Sequence, residues 1–102
     1  MSHSVGGIGH IWEVLGHHRQ ALRRIGVTRL ALFGSAARGE LSATSDLDFL
    51  VEFQSKTFDA YMDAKELLES AFGRTVDLVL VDAIKPALRQ AILKEAVDAP
   101  EL

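Results

Sequence analysis

The sequence has no cysteine. Disulfide frameworks, zinc–thiolate sites and cysteine nucleophiles are thereby excluded, and the absence fits a reducing, cytoplasmic setting. Only two prolines occur, Pro86 and Pro100, so none interrupts periodic structure before the last part of the chain. No apolar run approaches the ~20 residues of a membrane span, and no signal-peptide pattern opens the chain. A basic excess is lacking as well. The net charge of −3 withholds the electrostatic footprint of a nucleic-acid binder, so direct nucleic-acid binding is not expected.

What is present is enough for one core. Hydrophobic residues make up 48% of the 102 positions and charged residues 25%, ordinary globular values. A chain of this length buries roughly 60–70% of the surface its unfolded form exposes, without help from a disulfide or a structural metal. One domain over residues 1–102 is the expectation, with the small-residue stretch "MSHSVGGIGH" (1–10) flexible.

Ile11, Val14, Leu15, His18, Leu22 and Ile25 recur near a 3.6-residue period, which predicts a helix from Ile8 to Ile25 stopped at Gly26. "VTRLALF" (27–33) reads as a strand ending at Gly34, and "SAARGE" as a short helix broken at Gly39. After a Ser/Thr-rich loop, "SDLDFLVEF" (45–53) reads as a second strand. Phe58, Tyr61, Met62, Lys65, Leu68 and Phe72 take helical spacing up to Gly73, and the β-branched run 74–81 is a third strand. Pro86 suits the first turn of a last helix, in which Leu88, Ala91, Ile92 and Glu95 mark the faces. The order α-β-α-β-α-β-α predicts a layered α+β (α/β) domain with helices on a small mixed sheet.

Two aspartates interrupt the second strand. Residues i and i+2 of a strand share a face about 6.5–7 Å apart, so Asp46 and Asp48 should project together while Leu47 and Phe49 enter the core. Like charges this close raise a pKa, and a divalent cation between them removes the conflict. Mg²⁺ takes hard oxygen ligands, often one or two carboxylates completed by substrate phosphates. Asp77 breaks the third strand on the face opposite Val76, Leu78 and Leu80. If the two strands are neighbours, three carboxylates converge, a set suited to two metals and in-line phosphoryl or nucleotidyl transfer, with Asp77 also able to accept a proton. Upstream, Gly34 permits close backbone approach at a strand-to-helix corner, Ser35 adds a hydroxyl and Arg38 a planar donor fork for phosphate. This is neither a Walker A loop nor a dinucleotide fingerprint.

"GSAARGELSATSDLDFLV" with the later "TVDLVLV" resembles the Gly-Ser…Asp-x-Asp signature of the DNA polymerase β-type nucleotidyltransferase superfamily. The likeness is strongest to the minimal nucleotidyltransferase (MNT) antitoxins, and it covers most of the chain. The resemblance implies a nucleotidyltransferase fold binding Mg²⁺, two ions, with ATP as substrate. Gly34, Ser35, Arg38 and Ser45 would surround the nucleotide, and Asp46, Asp48 and Asp77 would be catalytic metal ligands. It also implies a helical HEPN-type toxin partner whose tyrosine receives AMP. One departure is Ala36, where many relatives carry Arg, which leaves Arg38 as the phosphate fork.

Other candidates are set aside. His3, His10, His17 and His18 do not form the i, i+4 pair of helical zinc sites. Trp12 is read as core or partner contact, Phe58 and Tyr61 as helix packing, and Asp63, Glu66 and Glu69 as a solvated face. Arg74, Lys85, Arg89 and Lys94 suit a triphosphate, a partner or plain solvent equally. Two further functions compete with protein adenylylation: a non-catalytic antitoxin that masks its partner, and nucleotidyl transfer to a small molecule or an RNA end.

Overall fold

The computed structural model describes residues 7–40, 46–100 and 102. Helices α1 (Ile8–His17) and α2 (Arg19–Ile25) lead into strand β1 (Val27–Phe33), followed by the four-residue helix α3 (Gly34–Ala37). Strand β2 (Leu47–Phe53), helix α4 (Phe58–Phe72) and strand β3 (Val76–Leu80) come next. A 3₁₀ turn (Val81–Ala83), helix α5 (Pro86–Glu95) and strand β4 (Val97–Asp98) complete the fold. The four strands form one sheet in the order β3-β2-β1-β4, with β2 and β3 parallel and the other pairs antiparallel. The expected mixed sheet is therefore found, and α4 is the crossover that a parallel pair requires.

Three expectations need correction. The first helix is two, because the chain breaks at His18, whose N–H bonds three residues back to the Leu15 carbonyl (3.0 Å) instead of four. Gly16 and the two histidines are weak helix formers there, so nothing local resists the break. A fourth strand is added at the C-terminal side. It has two paired residues, too few for any period to register, and is held by the Ala99 N–H on the Leu30 carbonyl (2.8 Å) and by Asp98 on Arg29 (2.9 Å). The second and third strands are shorter than expected: β2 begins at Leu47 and β3 at Val76. The first helix starts at Ile8, inside the stretch expected to be flexible, while residues 1–6 lie outside the described ones.

The sheet has two unequal faces. On one, Leu30, Leu32, Leu47, Phe49, Val51, Val76 and Leu78 bury themselves against Ile11, Leu15 and Leu22 of α1 and α2 and Ala64 and Leu68 of α4. Phe49 and Phe72 meet there with ring centroids 6.0 Å apart. On the other, the buried residues among those described are Ala31, Leu50 and Ile84, covered by partly exposed residues such as Ile92 and Leu93 of α5. Helix α5 has no fully buried residue. Its side of the sheet is thinly covered.

Helix α4 also guards the free edge of β3. Thr57 caps its start by accepting the Ala60 N–H (3.0 Å). Along its length Tyr61 donates to the Leu78 carbonyl (2.6 Å), Lys65 to the Val76 carbonyl (3.1 Å), and Glu69 accepts the Val76 N–H (3.0 Å). These bonds occupy edge groups that would otherwise template another strand. Glu69 is thus no solvated bystander, whereas Phe58, expected to pack, is 77% exposed. Among the described residues no helix is long and apolar enough to cross a membrane.

Candidate active site

The parallel register of β2 and β3 sets Asp48 directly opposite Asp77. Their strand neighbours Leu47, Phe49, Val76 and Leu78 are buried in the main core, so alternation turns both aspartates to the thinly covered face. Asp48 is half-buried and Asp77 exposed. On its other side, Asp48 pairs across the sheet with Phe33, the last residue of β1. The chain turns at the next residue, Gly34, and the corner and the two acids therefore occupy one end of three adjacent strands.

Gly34 has φ +74°, a left-handed conformation that costs an L-residue. A Cβ there would collide with Asp48 Oδ2 and lie 3.0 Å from its Cγ. The carboxylate is seated against the glycine backbone, so glycine is required twice over. Ser35 follows, half-buried, at the second position of α3.

Asp46 stands just ahead of β2 and is exposed. The pleat argument that placed it beside Asp48 does not hold in full, because the strand begins one residue later. Its charge still reaches the site. Burial raises the Asp48 carboxyl above the usual range, the Asp77 and Asp46 carboxylates raise it further, and Arg38 opposes them. Ser45, expected near the nucleotide, lies outside the described residues.

Arg38 is at the site but engaged. Its Nη1 donates to Glu95 Oε2 (2.6 Å) and its Nε to Glu40 Oε1 (3.1 Å). Glu95 Oε1 also accepts the Gly34 N–H (3.1 Å). The Arg38 bond, then the Gly34 bond, hold the Glu95 carboxyl below its ordinary range. Neither glutamate stood out in the sequence. Glu95 acts on partners 57 and 61 positions away, and nothing local in a polar helix end announces that. Ala36, the departure from the pattern, is 3% exposed and packs into the main core. Its side chain occupies apolar space and not the acidic shelf.

The donor set suits a hard cation only in part. Asp48 and Asp77 offer facing carboxylate oxygens under mutual repulsion, which a divalent ion relieves, and Mg²⁺ accepts such a pair when phosphates and water complete its shell. Among the described residues no three His, Asp or Glu side chains are gathered to hold a metal unaided. The fit is to a metal brought with a phosphate ligand. His10 and His17 lie on α1 and His18 at the break before α2, and His3 lies outside the described residues. A cleft of about 400 Å³ lies elsewhere, lined by Val51–Gln54 and Leu80–Asp82 at the opposite end of β2 and β3.

Comparison with known proteins shows the family and the fold. The nucleotidyltransferase domain family model matches residues 15–99. The chain is similar to Protein adenylyltransferase MntA of Thermococcus cleftensis, 36% identical over 85% of this chain and 90% of that protein. It is similar to a solved structure described as a minimal nucleotidyltransferase, with 38% identity, TM-score 0.70, and coverage of 84% of this chain and 93% of that one. At 21% identity the fold is shared with a complex of tri-AMPylated Shewanella oneidensis HEPN toxin and MNT antitoxin. There the TM-score is 0.60, with 86% of this chain and 71% of that one covered.

Proposed function

The chain belongs to the nucleotidyltransferase domain family, and we propose that it transfers AMP from ATP to a tyrosine hydroxyl of a helical HEPN-type toxin, acting as its antitoxin. One observation carries this reading: Asp48 and Asp77 face each other on the open side of the sheet, with Gly34 against Asp48. The adenylyltransferase name of the Thermococcus relative and the AMPylated toxin in the Shewanella complex support the reaction type and the partner.

In this reading the Gly34–Ser35 corner and Arg38 bind the triphosphate, since backbone N–H groups, a hydroxyl and a guanidinium are the donors phosphate oxygens take. Asp48 and Asp77, with Asp46 beside them, would hold two Mg²⁺. When bound, such ions lower the pKa of an attacking hydroxyl and stabilise a leaving pyrophosphate. Asp77, the more exposed of the facing pair, would accept the proton of an incoming hydroxyl. Asp46 and Asp77 are exposed on this shelf, where an acceptor hydroxyl brought by another chain can reach them.

The test is transfer of label from α-labelled ATP, with Mg²⁺, to a co-purified HEPN partner. Wild type should label a tyrosine, and Asp48→Asn with Asp77→Asn should abolish labelling while the far-ultraviolet spectrum is unchanged. Labelling that survives the double substitution would refute the assignment. Undiminished neutralisation of the toxin by that unlabelling variant would instead favour a masking antitoxin.

A further inference from the structure

Glu95 closes α5, yet its carboxylate is the group that fills the corner given above to the triphosphate. Its two oxygens divide between the Gly34 N–H (3.1 Å) and Arg38 Nη1 (2.6 Å). An oxygen pair shared between a corner N–H and a guanidinium is the contact set a phosphate group makes. Resting on the nucleotide reading of this site, we propose that Glu95 is an affinity-setting residue. Its carboxylate occupies the phosphate cradle of the empty protein and is displaced when a nucleoside triphosphate binds.

Three features favour exchange over a fixed brace. Glu40 holds Arg38 separately through Nε (3.1 Å), so the fork stays aimed when Glu95 leaves. Glu95 adds one more negative charge beside a shelf that already carries Asp46, Asp48 and Asp77. A brace gains nothing from that repulsion, whereas a placeholder for an anion must carry it. Finally, α5 buries no residue fully and leads into a strand of two paired residues. Its end can shift without opening the main core. Glu95 meanwhile keeps the part-buried Gly34 N–H paired when no nucleotide is bound, where an unmet donor is costly.

The experiment is calorimetric titration of the full chain with Mg-ATP. Glu95→Gln keeps shape but loses the charge on Arg38, and Glu95→Ala removes the occupant. Both should lower the Kd, by about two- to five-fold for the Gln variant, the range of a part-exposed ion pair acting as competitor. Glu40→Gln removes an equal charge from the same guanidinium without touching Gly34, and should tighten binding less. Equal tightening by Glu40→Gln, or unchanged or weaker binding by both Glu95 variants beside a binding wild type, overturns the proposal and leaves the nucleotide reading intact. A wild type that does not bind Mg-ATP overturns both. Should the variants fold poorly, hydrogen exchange of wild type decides: ATP should speed exchange over residues 95–100, and slowed or unchanged exchange overturns the displacement.

Discussion

Two glycines share one backbone conformation and differ in what surrounds them, which makes a controlled pair of substitutions. Gly34 has φ +74° and Gly39 φ +75°, so alanine at either position carries the same left-handed penalty of about 1–2 kcal/mol. A Cβ at Gly39 meets nothing within 4 Å, whereas one at Gly34 runs into the Asp48 carboxylate. At about 4–8 °C per kcal/mol for a domain of this size, Gly39→Ala should lower the melting midpoint by about 4–16 °C and spare the site. Gly34→Ala adds the cost of overpacking, about 1–3 kcal/mol. The Asp48 Cβ would itself lie 3.3 Å from the new atom, so side-chain rotation alone does not give full relief and the carboxylate must move. Misplacing a reacting group by about 1 Å costs on the order of 100-fold in rate. Adenylyl transfer measured at saturating ATP should therefore collapse in Gly34→Ala and persist in Gly39→Ala, with both variants folded by circular dichroism. Rates within about threefold of each other would show that the glycine–carboxylate contact does not position the acid, and the proposed site would lose its central geometric support.

Burial first, then Asp77 and Asp46, raises the Asp48 carboxyl. The folded state therefore binds this proton more tightly than the unfolded state, and stability is lost as pH rises from the unfolded pKa through the folded one. Asp48→Asn should thus raise the melting midpoint at pH 7 by a few degrees, with no gain at pH 3, while abolishing transfer; a lower midpoint at pH 7 would contradict the sign. Lys65 and then the Val76 N–H lower the Glu69 carboxyl, so its contribution is present above the unfolded pKa and fades as pH falls through the folded one. Glu69→Gln should destabilise at pH 7 and match wild type in acid, and Lys65→Ala combined with Glu69→Ala should bring concentration-dependent turbidity by uncovering the β3 edge. Phe49, fully buried against Phe72, should cost about 3–5 kcal/mol when changed to Ala, measured by urea unfolding.

How far the sequence could be read depended on whether each feature is local. Leu47, Asp48 and Phe49 alternate in polarity, and so do Val76, Asp77 and Leu78, so the faces of both strands follow from pleating alone. That β2 and β3 can be neighbours follows from the intervening 15-residue helix, long enough for a parallel crossover. The register that sets Asp48 against Asp77 does not, since it depends on how α4 packs on the sheet and caps the β3 edge. Gly34 was legible as a corner because glycine before a short helix has few other uses. Its role as the seat of a carboxylate needed the antiparallel pairing of Phe33 with Asp48. The Glu95–Arg38 pair and the two-residue β4 were hidden for the same reason: each joins segments far apart in the chain through one or two contacts, and neither leaves a period.

The unequal faces of the sheet bear on why so short a chain carries the site where it does. A four-stranded sheet must bury one face to fold, and here α1, α2 and α4 satisfy that requirement on the side away from the acids. Folding then makes little demand on the second face, where three of the described residues are buried. Partly solvated carboxylates are tolerable there, since water still reaches them, while the same pair among Phe49 and Leu78 would cost several kcal/mol per charge. An open shelf has the opposite defect for chemistry, because water competes with any acceptor and screens the charges that stabilise a transition state. On the proposed reading the protein partner resolves both conditions: the shelf stays hydrated while the chain is alone, and the docked acceptor excludes water only when the reaction is to occur.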